Sequence, residues 1–365
     1  MRRIRIAAAL AALTLTAAGL AAGTAGPAVA GTGVTTVKVK GGLNGPAGFT
    51  FTPKGVIVYA ERGTGEIRYL NPATDHDRLL KKIPGVNGSG ERGALGVALH
   101  PRWPAKRFVY VYATRSTPDG LRNQIVRIRD EPGMPVVMKV LLSVPASGDP
   151  YHNGGRILFG PDGMLYVIVG DGHDATNAQD RSNNLRGKIL RLRPDGSVPA
   201  DNPGGHKWWA YGIRNSFGFT FDPQTGTLWE TENGPECNDE LNLIVRGGNY
   251  AWGPNETCTG PAPGNTNQDG ASRHLPVKWW VTTIGITGAV FCDGCGLGPA
   301  AEGDLFVSAC CDGGIIRQGE LNGPRDDVVS LTDVGIAPGS AIYSMEVGPN
   351  GSIYFSDYEA IYRIT

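Results

Sequence analysis

The chain has 365 residues, 34 of them basic and 34 acidic, with 41% hydrophobic residues, 54 glycines and 26 prolines. This balance lacks the basic excess of a nucleic-acid or anionic-membrane binder, so no nucleic-acid partner is expected. The glycine and proline content is that of a turn-rich protein, while the aromatic residues and Val/Ile runs spread along the chain exclude a disordered one.

The first thirty residues begin with Arg2, Arg3 and Arg5, continue through an Ala/Leu-rich stretch, and end in Ala28-Val29-Ala30. Basic start, short apolar middle and A-x-A end predict a secretory signal peptide over residues 1–30, cleaved after Ala30. A transmembrane anchor is the competing reading, and the stretch is short and weakly apolar for one. The mature chain, 31–365, would carry 31 basic against 34 acidic residues and no membrane span. It is expected to be secreted or extracytoplasmic and to form one domain.

A unit then recurs: a turn containing proline, usually with glycine, followed by a strand of alternating apolarity. The copies are FTPKGVIVYAERGTGEIRYL from Phe51, LHPRWPAKRFVYVYATR from Leu99, FGPDGMLYVIVGDG from Phe159 and FDPQTGTLWETENG from Phe221. A degenerate copy starts at Gly298 and a last one, VGPNGSIYFSDYEAIYRIT, at Val347. The turn prolines Pro53, Pro101, Pro161, Pro223, Pro299 and Pro349 are 48, 60, 62, 76 and 50 residues apart. Six such units with almost no helical periodicity predict an all-β fold, a six-bladed β-propeller. An array of two or three β-sandwiches would need linkers, and none is visible after Gly31. In a propeller the loops at one end of the inner strands converge on the axis. That would aim His152, ahead of the third copy, and Arg214-Asn215, ahead of the fourth, at the central channel.

Five segments carry a resemblance. They are GSGERGALGVALHP (88–101), DPYHNGGRILFGPDGMLYVIVGDG (149–172), GKILRLRPDGSVPADNP (187–203), YGIRNSFGFTFDPQTGTLWETENGP (211–235) and DELNLIVRGGNYAW (239–252). In this order they closely resemble the soluble quinoprotein sugar dehydrogenases, the glucose/sorbosone dehydrogenase family that uses pyrroloquinoline quinone (PQQ). The resemblance covers residues 40–255 and thins beyond them. It implies an oxidoreductase that oxidises an aldose, with hydride transfer to PQQ and an external electron acceptor.

The resemblance also implies roles. His152, in the H-N-x-G-R segment, would be the general base, a task suited to an imidazole. Asp171 would orient it, and Arg214 and Asn215 would bind the quinone oxygens and stabilise developing negative charge. Glu91 would face the cofactor. The carbonyls of Gly234 and Pro235 would ligate a calcium ion (Ca2+), and Glu240 with the Tyr250 carbonyl a second, structural one. More ordinary readings stand beside these. A lone histidine in a β protein is usually structural, Arg214-Asn215 could pair at a strand end, Glu240 could cap a turn, and Asp239 could be solvated. His173 has no counterpart in the family and is expected at the surface.

The C-terminal third departs from the family. PQQ carries three carboxylates, and alignment places Cys311 at the family's lysine and Ala341 and Tyr343 at its two arginines. Each such ionic contact is worth about 1.5–3 kcal/mol. Phe217 replaces an amide in the Arg-Asn segment, and Cys292 stands at an aromatic position. All six cysteines lie beyond the signal, which favours disulfides. Cys237 and Cys258 are expected to pair. Cys292, Cys295, Cys310 and Cys311 could pair as 292–295 and 310–311, cross-link two loops, or, less in keeping with export, hold zinc. Two further functional readings remain: a binding module for carbohydrate or protein that has lost PQQ, and a metal-dependent lactonase, for which no scattered Glu/Asn/Asp set is evident.

Overall fold

The structure is a computed structural model that describes residues 33–365; the expected signal peptide lies outside the described residues. Six four-stranded antiparallel sheets make up the fold. Their innermost strands are Pro46–Phe51, Ala94–Leu99, Ile157–Phe159, Ser216–Phe221, Ile286–Phe291 and Ser344–Val347. The sixth packs back against the first, so the ring of blades closes. This is the six-bladed β-propeller expected from the repeats. Every one of the six turn prolines falls between the first and second strands of its blade, because proline fixes φ for a turn and cannot donate to a ladder.

Six apolar clusters hold the blades together, one at each interface between neighbours. Tyr110, Tyr112 and Leu95 of the second blade, for example, meet Val167, Leu190 and Trp208 of the third. Middle strands such as Leu165–Val169 and Leu305–Ala309 are buried on both faces, so they are continuously rather than alternately apolar. Outer strands such as Val137–Pro145 alternate.

The sixth blade is completed from the other end of the chain. Thr36–Lys40 pairs antiparallel with Ile361–Ile364, in register Thr36↔Ile364. Thr35 and Thr365 exchange backbone hydrogen bonds at 2.8 and 2.9 Å. The disulfides are Cys237–Cys258, Cys292–Cys295 and Cys310–Cys311, with no free cysteine.

Candidate active site

The loop carrying His152 is shaped by its glycines. A Cβ on Gly154 would lie 2.7 Å from the Ile168 carbonyl oxygen, and one on Gly155 2.6 Å from the Leu95 side chain. Gly170, on the opposing strand end, abuts the carbonyls of both His152 and Arg214. His152 itself has φ +54°, an unfavourable region for a non-glycine residue. It is held there by its backbone N–H, which donates to Glu91 Oε2 at 2.7 Å, and by its carbonyl, which accepts from Gly172 at 3.0 Å.

His152 is 7% exposed and Asp171 1%. His152 Nδ1 lies 2.7 Å from Asp171 Oδ1. Asp171 Oδ2 accepts from Trp252 Nε1 at 2.8 Å, and Oδ1 from the His173 backbone at 2.8 Å. An acceptor this well satisfied requires the Nδ1–H tautomer, which leaves a lone pair on Nε2. Nε2 makes no hydrogen bond to the protein and is not enclosed. It is a base site open to a ligand.

Arg214 is fixed from two sides. Its backbone N–H donates to Glu232 Oε1, and Nη1 to the Asn233 carbonyl at 2.9 Å, with the guanidinium over the Trp252 ring. Its Nε is buried without a partner. Burial lowers its pKa, against the pull of Asp171, Glu232, Glu91 and Asp239. Asn215 Nδ2 donates to Glu91 Oε2 at 3.0 Å and Oδ1 accepts from Gly154 at 3.3 Å, so Glu91 and Asn215 together brace the His152 loop.

On the axis lies a cavity of 250 Å³ to which all six blades contribute, among them Arg62, Glu91, Phe217, Thr287, Cys310 and Tyr343. Glu91 and Gly154 connect it to the His152 loop; His152 and Arg214 stand beside it rather than in its wall. Cys310 lines it and Cys311 is exposed. Two cations that the sequence did not single out also border it. Arg156 donates to the carbonyls of Phe217 (2.8 Å), Tyr343 (2.9 Å) and Ala47 (3.4 Å), bracing four blades across the channel, and burial lowers its pKa to about 10. Arg62 donates to the Arg92 carbonyl at 3.0 Å and Tyr358 Oη at 2.8 Å.

Arg214 instead lines a small space with Gly234, Pro235, Glu232, Glu240 and Asn267. A side chain on Gly234 would collide with the Cys237 carbonyl, so the close turn requires glycine. Glu240 sits in the strand Cys237–Ile244, buried with Glu230 and Glu232, and does not cap a turn. Burial raises all three carboxyl pKa values, Glu230 to about 7 and Glu240 to about 8. Glu230 Oε1 and Glu232 Oε2 have no partner. The Tyr250 carbonyl accepts from Asn267 Nδ2 at 2.9 Å. Asp239 is not solvated: it is fully buried and accepts from Gly234, Ile284 and Gly285. Among the described residues no cluster of three or more His, Cys, Asp or Glu has metal-holding geometry.

Sequence reasoning missed Trp252, His173 and Lys188 as parts of this site. Trp252 closes the quoted Gly-Asn-Tyr segment and reaches Asp171 across 81 positions. His173 is a surface residue as expected, its side chain 49% exposed, yet its ring lies 4.7 Å from that of His152. Lys188 is wholly buried, with Nζ donating to the carbonyls of Asn177, Ala178 and Arg186 at 2.7–2.9 Å. A lysine at the head of the apolar run KILRL was the available signal.

The Glucose / Sorbosone dehydrogenase family profile matches residues 43–362, so the kinship runs through the divergent C-terminal third. The aldose sugar dehydrogenase YliI of Escherichia coli is 28% identical over 329 residues, covering 86% of each chain. The PQQ-bound aldose sugar dehydrogenase of Streptomyces coelicolor superposes with TM-score 0.76 at 26% identity, covering 92% of this chain and 98% of that one. A putative oxidoreductase (glucose dehydrogenase) of Thermus thermophilus gives 0.78 at 32%, covering 91% and 100%. With the axial site and the six blades, these matches lead to one conclusion: the chain belongs to the glucose/sorbosone dehydrogenase family of quinoprotein sugar dehydrogenases.

Proposed function

We propose that this protein is an exported dehydrogenase that oxidises an aldose at its anomeric carbon. The observation that carries the reading is the imidazole of His152, its Nδ1 bonded to a buried carboxylate that Trp252 also holds, and its Nε2 left open. Such an imidazole takes the proton of the anomeric hydroxyl, and Asp171 stabilises the imidazolium that results. Arg214, its guanidinium over the Trp252 ring that holds Asp171, is a cation suited to an oxygen on which negative charge builds. Bound PQQ would supply the two-electron oxidant, with Arg214 and Asn215 toward its quinone oxygens and Glu91 beside it. An external acceptor would then remove the electrons.

Calcium completes the proposal. Gly234, Pro235, Glu240 and the unpartnered Oε2 of Glu232 share a small space, and their oxygens are of the kind a hard cation takes. Chelation is expected to lower the melting temperature and added calcium to restore it. An unmoved transition would remove calcium from the proposal. Export through residues 1–30 agrees with the three disulfides; the secreted protein should begin at Gly31.

The test is reconstitution of residues 31–365 with PQQ and calcium, followed by binding titration and aldose oxidation with a dye acceptor. A second reading has its own observation. The cavity wall carries Tyr343 and Phe217 where the family places a cation and an amide, and Cys310, disulfide-bonded to the Cys311 that stands at the family's lysine, while Arg62 and Arg156 are engaged with backbone carbonyls. If no quinone binds at millimolar concentration, the chain is a propeller binding module.

A further inference from the structure

The site holds two imidazole–carboxylate pairs. His152 Nδ1 meets Asp171 at 2.7 Å, and His173 Nδ1 meets Asp149 at 3.0 Å. The rings pack edge to face with centroids 4.7 Å apart. His152 is buried, while His173 is about half exposed and Asp149 more so. Both histidines adopt left-handed backbone, φ +54° and +62°, and both are tied to Asp171, His173 through its backbone N–H. The loop bearing Asp149 is fixed by Arg92, whose Nη2 donates to the carbonyls of Ser147, Gly148 and Asp149 at 2.6–2.8 Å. Two strained histidines held ring to ring by separate carboxylates are over-determined, as functional backbone strain usually is.

We propose that His173 and Asp149 form a proton relay from His152 to solvent, an inference that rests on the dehydrogenase reading above. The anomeric O–H breaks and its proton bonds to His152 Nε2, while the hydrogen on carbon leaves with its electron pair to the quinone oxidant. The His152 imidazolium then gives that proton through one bridging water to His173 Nε2, since the edge-to-face rings share no direct hydrogen bond. From there it passes to bulk buffer. Both rings return to neutrality and both carboxylates stay ionised. His152 is 7% exposed, and the half-exposed His173 ring packed against it stands between it and bulk water. The other charged or titratable groups nearby are Glu91, Arg92, Tyr151, Asp174, Arg186 and Arg214. His173 is thus a positioning and relay residue.

His173→Gln tests this with two readouts. Ring-nitrogen NMR of the cofactor-free protein should show the His152 ring N–H exchanging with solvent faster in wild type than in H173Q. In dilute buffer, H173Q should lower kcat by about 10-fold with KM unchanged, less than loss of the base itself, and added imidazole should restore the rate. Equal His152 N–H exchange in both proteins, an unchanged kcat, or a loss that imidazole does not rescue would each overturn the relay. A wild type that shows the exchange difference but does not turn over overturns the dehydrogenase reading, and the relay with it.

Discussion

His152 stands where no packing role asks for an ionisable ring. Its backbone is strained, its Nδ1 is committed to Asp171 and its Nε2 is open. His152→Ala should therefore keep the native circular dichroism spectrum while kcat falls by about 10²–10⁴-fold with saturating cofactor. A variant that keeps its rate would show that the base lies elsewhere. His100 gives a contrasting, purely structural case. Burial foremost, then Lys106, Arg102 and Arg127, lowers its pKa, and its Nδ1 accepts the Arg102 N–H at 3.0 Å. The folded-state pKa lies below the unfolded value, so its contribution is full above about pH 6.5. That contribution is lost as pH falls through the folded value. Wild type should lose melting temperature between pH 7 and 5 more steeply than His100→Gln. Parallel curves for the two proteins would contradict this.

At the scale of elements, the segment between the second and third strands of the third blade depends on one cation. Three carbonyls converge on Lys188 Nζ and use all three N–H bonds of an ammonium, favouring the charged form against burial, which lowers its pKa to about 7. Asn177 in that segment donates to the Asp171 carbonyl at 2.7 Å, so the lysine supports the dyad indirectly. Lys188→Met strands those carbonyls and should cost about 3 kcal/mol or more. Calorimetry would show the lowered transition, and hydrogen exchange should quicken across residues 172–187 before the rest of the blade. Uniform exchange would mean the segment is held by other contacts. The turns of this blade were readable beforehand because proline and glycine act on their own φ. The lysine's partners were not, since they are carbonyls of a loop whose path depends on packing.

At the scale of the whole molecule, closure is the unit of stability, since each apolar cluster needs two blades. Thr36–Lys40 completes the last blade, and Val39 packs into the cluster between the sixth and first. Removing residues 33–40 should cost about 3 kcal/mol or more through lost ladder bonds and apolar burial. It also uncovers the edge of Ile361–Ile364, so the truncated protein should self-associate in sedimentation. A truncated monomer with unchanged melting temperature would show that the closing strand contributes little. The sequence by itself determined the blade count and the glycine-bounded loop that carries His152. These follow from turn residues and glycines whose conformational effect is local. Only the tertiary structure decided that the last blade takes its outer strand from 330 positions away, that Trp252 holds Asp171, that His173 faces His152, and that Asp239 is buried. Those contacts exist because the ring closes and brings distant loops to one axis, and no local signal records which side chains will meet there.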